Sequence, residues 1–356
     1  MERLQGISKS RIPQPATPIL GRQQQLSELI QLLEQNNVVT ITGTGGIGKT
    51  RVAIEICHQT VDKFWDGIVY VSLATYSDAD SVMPALADEL GITEMGGRTL
   101  AAGVAEVLST ATVLLVLDNL EHIPQAASEI SDLVALCPQI KILCTSRTPL
   151  KILAEVEFSM PPLPVPTRAE LTTMMEYPAI ALFLRRAKRV NNAFELTPEN
   201  ATALLRVCQY LDGLPLALEL AASRLRILTL DQLFDRLKHS IDILSTGSKD
   251  LPERHQTLKN TIEWSHELLS DSEQQLFRRL SVFTRGFTLE AIEQVCYDTQ
   301  VDPLKPVDEI ESLVDKSLVQ RLDSNHRFTL LQTIKDYASK KLREAHEEEY
   351  TLMRHT

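Results

Sequence analysis

Cysteine is sparse and unpatterned in this sequence. The 356 residues hold 5 cysteines, Cys57, Cys137, Cys144, Cys208 and Cys296, with no C-x-x-C pair. Scattered in this way, and four of them in apolar surroundings, they read as buried, reduced thiols rather than a redox or disulfide framework. The opening MERLQGISKS lacks the apolar core of a secretory signal, and with the odd cysteine count this points to a cytoplasmic protein. No stretch approaches the roughly eighteen uninterrupted apolar residues of a membrane span. Positive charge is also in deficit. The formal net charge of -11 gives no general attraction to nucleic acid or to an anionic membrane, though it leaves room for a local basic patch.

What is present is ordinary globular material. Hydrophobic residues make up 44% of the chain, enough at this length for two or three domains with their own cores. Residues 1–17, ending RIPQPATP, read as an extended lead-in, and GRQQQLSELIQLLEQ then carries an apolar helical stripe. Short apolar runs follow, alternating with helical patterns: VVTIT (Val38 to Thr42), GIVYVSL (Gly67 to Leu73), TVLLVLD (Thr112 to Asp118), IKILCTS (Ile140 to Ser146) and, as a candidate fifth strand, EVEFSM. Runs such as VLLVL do not alternate, as expected of parallel strands buried on both faces. MPPLPVPT (Met160 to Thr167) marks a boundary, and beyond it the strand signal stops. Helical patterns then dominate, with Thr197-Pro198 and Ser270/Glu273 as helix starts. Residues 308–342 read helix, strand, turn, strand, helix, an order that suits a winged helix, and the charged tail after them reads as helical.

The chemistry concentrates at Gly43 to Thr50, GTGGIGKT, which matches G-x-x-x-x-G-K-[ST] between a strand and a helix. Gly43, Gly45, Gly46 and Gly48, with Ile47 among them, let successive N–H groups turn toward phosphate, and the following helix aims its positive end there. Lys49 would neutralise the β- and γ-phosphates, and the Thr50 hydroxyl would bind Mg²⁺. Asp118, at the end of an apolar strand, stands where a second Mg²⁺ contact belongs, although a turn aspartate is the plainer alternative. Asn119 occupies the place where many P-loop ATPases carry a second acid. An amide can hold a water but is a poor base, and nearby Glu121 and His122 serve either as substitutes or as loop caps. Arg147 reads equally as a γ-phosphate sensor or as one half of a surface salt bridge, and Arg51 faces either solvent or phosphate.

Taken in order, ILGRQQQLSELIQLL, TGTGGIGKTRVAIEI, DGIVYVSLA, VLLVLDNLEHI, KILCTSRTPL, LDGLPLALELAASRLRIL, ERHQTLKNTIEWSHELL, LFRRLSVFTRGFTLEAIEQVC and LVDKSLV resemble the NB-ARC ATPases of the STAND class, in particular the branch found in large bacterial regulators. The resemblance covers about Pro18 to Leu342. It implies an α/β P-loop NTPase domain with a parallel sheet at 18–166, an all-α helical domain at 167–250 and a winged-helix domain at 251–345, flanked by the lead at 1–17 and a helical linker at 346–356. It also implies that Gly21 and Arg22 line adenine and ribose, that Arg147 is the sensor arginine, and that Pro215 of GLPL packs near adenine. One departure stands out. Where plant and animal relatives carry Met-His-Asp, whose histidine reaches the ADP β-phosphate, this chain has Leu330, Leu331 and Gln332. His255 is a candidate replacement, with a helix cap as its alternative role.

The expected function is therefore a slow ATPase used as a switch, closed with ADP, open and self-associating with ATP, with Mg²⁺ as the metal. Two other readings compete: a steady ATP-driven remodelling motor, and a winged-helix DNA-binding regulator controlled by ATP. Basic residues Lys316, Arg321, Arg327, Lys335, Lys340, Lys341 and Arg343 interleave with acids, which argues against nucleic acid as a partner. The signal and effector are expected to lie outside this sequence: no effector precedes the core, and the tail ends without an obvious stop after Thr356.

Overall fold

The computed structural model describes residues 12–74, 76, 82–92, 99–121, 123, 125–239, 241–244, 258–284, 286–297, 302–322 and 326–355. Contacts divide it into two compact units. The first runs to Met160 but omits Thr44–Ile47; the second takes Thr44–Ile47 together with the chain from Pro161 onward.

In the first unit, helix α1 (Gln23–Gln35) precedes β1 (Val38–Thr42), α2 (Lys49–Thr60), β2 (Gly67–Ser72), α3 (Val82–Leu90), α4 (Leu100–Leu108), β3 (Val113–Asp118), α5 (Ala126–Leu136), β4 (Lys141–Thr145) and β5 (Glu155–Ser159). The strands form one sheet in the order β2-β3-β4-β1-β5, with every pair parallel. Every residue of β1 and β3 is buried, which explains why their runs are apolar without alternation. EVEFS does form the fifth strand, at an edge and only partly buried. Helix α4 has no counterpart in the sequence reading. Its start is set by Thr99, whose side chain accepts from the Ala102 N–H, and its buried residues, Val104 and Leu108, stand one turn apart. Strand β4 lies between β1 and β3, so the carboxyl end of each borders that of β4.

The second unit is mainly helical: α6 (Leu171–Met174), α7 (Pro178–Val190), α8 (Pro198–Tyr210), α9 (Pro215–Ser223), α10 (Leu230–His239), α11 (Leu258–Glu267), α12 (Asp271–Arg279), α13 (Leu289–Cys296), α14 (Lys305–Asp315), β6 (Gln320–Leu322), β7 (Arg327–Thr329), α15 (Gln332–Glu344) and α16 (Glu348–His355). Capping boxes open α8 at Thr197/Asn200 and α12 at Ser270/Glu273. Strands β6 and β7 pair antiparallel, with Arg321 opposite Phe328. The tail is not one helix with what precedes it. Helix α15 ends at Glu344, and His346 sits at φ 57° before α16 begins, a left-handed residue that a continuing helix does not accommodate.

Leu330 and Leu331 are buried, and Leu331 is the N-cap position of α15. The cap bond comes from far away in sequence: the Gln332 N–H donates to Asp212 Oδ2 at 2.5 Å. Tyr210 and Gln332 side chains donate to the two oxygens of Asp336 at 2.6 and 2.7 Å. Asp212 is held at φ 51°, just before Gly213 at φ 67°. A Cβ at Gly213 would stand 2.0 Å from the Leu163 carbonyl oxygen, so no other residue fits there.

All five cysteines are buried and none forms a disulfide. Among the described residues no helix is long and apolar enough to cross a membrane.

Candidate nucleotide-binding site

The loop after β1 ends at Gly48, which caps α2 at φ 99°, and Lys49 and Thr50 open the helix. Lys49 Nζ turns back and donates to the Gly43 carbonyl at 2.6 Å, closing the loop on itself. Withdrawal from water pushes the Lys49 ammonium down to about 8. The nearby negative charges of Glu121 and Asp118 oppose that fall, and Arg147 adds to it. A cation so placed gains from any anion brought to it.

Thr50 Oγ1 donates to Asp118 Oδ1 at 2.8 Å. Thr145 Oγ1, from the end of β4, donates to the same oxygen at 2.5 Å, and the Tyr70 hydroxyl, from β2, donates to Oδ2 at 3.1 Å. Three elements thus converge on one carboxylate that is 5% exposed. Burial raises the pKa of Asp118, and the hydroxyl bonds hold it back. Tyr70 was not legible as a site residue: it is one hydroxyl in the run GIVYVS, and its partner is fixed only by the β2–β3 register. The Thr50 hydroxyl and Asp118 carboxylate fit a Mg²⁺ site. Both are hard oxygen ligands already brought within hydrogen-bond distance, and Mg²⁺ takes one or two protein oxygens with water and phosphate completing its shell.

Past Asp118 the chain turns sharply. Asn119 lies at φ 74°, a conformation that asparagine tolerates better than most residues. The Asn119 N–H donates to Thr145 Oγ1 at 2.9 Å, and the Leu120 N–H donates to the Thr145 carbonyl at 3.0 Å, so the turn is fastened to the end of β4. The turn brings Glu121 to Arg147, whose Nε lies 3.3 Å from Glu121 Oε1, with side chains 4% and 3% exposed. The Arg147 salt bridge is therefore buried, not on the surface. Lys49, Thr50, Asp118, Asn119 and Arg147 all stand at the carboxyl edge of the sheet of the first unit.

The other expected residues are distributed as follows. Gly21 (φ 64°) and buried Arg22 stand immediately before α1, and burial pushes the Arg22 guanidinium down to about 10. The Arg51 guanidinium donates to the Thr17 carbonyl in the lead-in. Within the second unit, the mid-loop residues Thr44–Ile47 keep Gly45 and Ile47 buried. There the Leu216 N–H donates to the Gly46 carbonyl at 3.2 Å, next to Pro215 at the first turn of α9. At φ 83°, Gly46 has no room for a side chain, since a Cβ would lie 2.9 Å from that of Leu216. Thr44 Oγ1 donates to the Ser317 carbonyl at 3.1 Å. His255 and His122 lie outside the described residues.

A family model described as the NB-ARC domain matches residues 22–149. An uncharacterized protein of Mycobacterium tuberculosis is 34% identical over 343 residues, covering 95% of this chain and 85% of that protein. The chain belongs to the NB-ARC family. A second M. tuberculosis protein, provisionally named an HTH-type transcriptional regulator, is 37% identical over 314 residues, covering 87% of the NB-ARC chain and 34% of that protein. The NB-ARC chain thus spans about a third of the length of that relative. Among solved structures, the Walker-type ATPase of Pyrococcus abyssi aligns with a TM-score of 0.55 at 12% identity, over 90% of this chain and 95% of that one. At that identity the likeness is one of fold alone.

Proposed function

We propose that this chain binds ATP and ADP with Mg²⁺, hydrolyses ATP slowly, and uses the exchange as a switch inside a regulatory protein. The observation that carries the reading is the convergence of Thr50 and Asp118 at the carboxyl edge of a parallel sheet, beside a glycine loop that ends in Lys49. In this reading the N–H groups from Gly43 to Thr50 cradle the phosphates. Lys49 leaves the Gly43 carbonyl for the β- and γ-oxygens, and Thr50 and Asp118 hold the metal. Bound Mg²⁺ supplies charge neutralisation on the transferred phosphoryl group. Arg147 senses the γ-phosphate, and Gly21, Arg22 and Pro215 border the nucleoside.

We assign three modules: a nucleotide-binding domain at 18–166, a helical domain at 167–250 and a winged helix at 251–345. The order α14, β6, β7, α15 supports the last, and ADP would favour the closed arrangement of the three. A slow rate is favoured by Asn119, which leaves no acid immediately after Asp118. We expect turnover below about 10 s⁻¹, a typical enzyme median; a rate at or above it favours the motor instead.

The regulator reading draws support from the relative named for HTH-type transcription. Direct nucleic-acid contact by this chain draws none. Lys316 pairs with Glu273 at 2.9 Å, Lys341 with Glu344 at 3.2 Å, and Arg343 with Glu348 at 3.9 Å. Arg327 donates to the Gly286 carbonyl. A salt-dependent DNA titration distinguishes the two, because phosphate contacts give a steep slope.

The test of nucleotide binding is a titration of wild type and Lys49→Ala with a fluorescent ATP analogue in Mg²⁺. Wild type should bind and the variant should not. Undiminished binding by Lys49→Ala overturns the P-loop assignment.

A further inference from the structure

Glu121 is a buried carboxylate that its fold satisfies only by half. Oε1 meets Arg147 Nε at 3.3 Å, while Oε2 is buried with no hydrogen-bond partner among the described residues. Leaving a buried acceptor unpaired is costly, and a catalytic role or a bound water or ion is among the reasons a fold retains one. Glu121 also lies close enough to Lys49 and Asp118 for its charge to act on both. The strained turn at Asn119, fastened to Thr145, is what carries this carboxylate back to the sheet edge.

We propose that Glu121 is the catalytic acceptor for the attacking water, displaced two residues from position 119, where many P-loop ATPases carry that acid, and that Arg147 restrains it until a γ-phosphate arrives. The proposal rests on the ATPase reading above. Its logic is charge balance. Lys49 feels the opposing charges of Glu121 and Asp118, and Arg147 is paired with Glu121. A γ-phosphate adds negative charge that competes with Glu121 for Arg147, because guanidinium binds phosphate and carboxylate through the same fork. As Arg147 turns to the phosphate, both oxygens of Glu121 become available, and Oε2 already has no other partner among the described residues. A water held there attacks the γ-phosphorus. The new bond joins the water oxygen to phosphorus, and the bond from phosphorus to the β,γ-bridging oxygen breaks. ADP leaves with that electron pair, and the water proton passes through Glu121 to the phosphate product.

The arrangement also makes sense of Asn119. Its left-handed backbone is needed to deliver Glu121, and its amide need not act as the base.

The experiment compares wild type, Glu121→Gln and Glu121→Asp in three readouts: affinity for a fluorescent ATP analogue, single-turnover hydrolysis, and the identity of nucleotide retained after incubation with ATP. Glu121→Gln keeps an acceptor for Arg147, and Glu121→Asp keeps the charge, so at least one variant retains the fold. Both should bind ATP within about threefold of wild type or more tightly. Glu121→Gln should hydrolyse at least about a hundredfold more slowly, the low end of what a positioned base contributes, and should retain ATP where wild type retains ADP. Glu121→Asp, with its carboxylate drawn back, should fall between them. Hydrolysis by both variants within twofold of wild type overturns the role of Glu121 and leaves the ATPase reading intact. No nucleotide binding by wild type overturns both.

Discussion

Asp212 and Gln332 are 120 residues apart, yet the Asp212 carboxylate accepts the first N–H of α15 at 2.5 Å. Through this bond the LDGLPL turn ends in a cap on the helix that follows Leu330 and Leu331, the residues standing where relatives carry Met-His. Asp212 is largely enclosed. Burial pushes its carboxyl up to about 7, the N–H groups of Gln332 and Thr333 pull it back, and the charge of Asp336 pushes it further. Asp336 is itself raised, by burial first, and takes bonds from Tyr210 and Gln332.

The consequence is a stability that falls with rising pH. An unfolded aspartate titrates near about 3.9, so between that value and about 7 the folded chain holds a proton that the unfolded chain has released. The folded state binds more protons there, and stability drops as pH rises through the window, by at most about 1.4 kcal/mol per pH unit from this group. Asp212→Asn keeps an acceptor for Gln332, suits the left-handed backbone, and removes the titration. Urea unfolding at pH 5 and pH 8 should show wild type losing stability at the higher pH and the variant losing less. An equal loss in both removes Asp212 as the source.

How much of this was legible beforehand depended on the range of each interaction. Strand β1 was found to the residue because an apolar run bounded by Asn37 and Gly43 is a local signal. The positions of Lys49, Thr50 and Asp118 beside the sheet are legible because a motif fixes two of them and a strand end fixes the third. Helix α4 has no counterpart in the sequence reading: only Val104 and Leu108 of its nine residues are buried, so its apolar stripe is two residues long. Tyr70, the pairing of Arg147 with Glu121, and Asp212 as a cap all depend on sheet order or on contacts across long separations, which no local pattern encodes. For Arg147 a salt bridge is legible from charge alone, but its burial is not, because it requires β4 to lie beside β3.

The bond from Thr50 to Asp118 predicts a separable metal effect. Thr50→Val is close in shape to threonine but has no hydroxyl, so it removes one ligand and one of the three hydroxyl donors to Asp118. Nucleotide affinity measured in EDTA should change little, because Lys49 and the loop N–H groups remain. The gain on adding Mg²⁺ should shrink by at least about tenfold, the scale seen when a metal site loses a supporting group. Titration of ADP with and without Mg²⁺ reads both terms, and an undiminished Mg²⁺ gain takes Thr50 out of the metal site.

Leu331 predicts the opposite kind of result, stability without ligand recognition. It is 6% exposed, at the N-cap position of α15, and follows Leu330 at 9%. A leucine has no donor with which to meet a phosphate, and at this burial its contribution is packing. Leu331→Ala removes three carbons and leaves either a cavity or a locally collapsed cap, at a cost of about 2–5 kcal/mol. The Asp212 bond to the Gln332 main chain is available to the variant, so α15 should still form. Urea unfolding should move to a lower midpoint with an unchanged slope, the sign of a stability change without a change in surface exposed. ADP affinity, measured where both proteins are folded, should stay within twofold. A variant with normal stability and weakened ADP binding gives position 331 a part in nucleotide recognition after all, carried by the backbone geometry that its side chain holds in place.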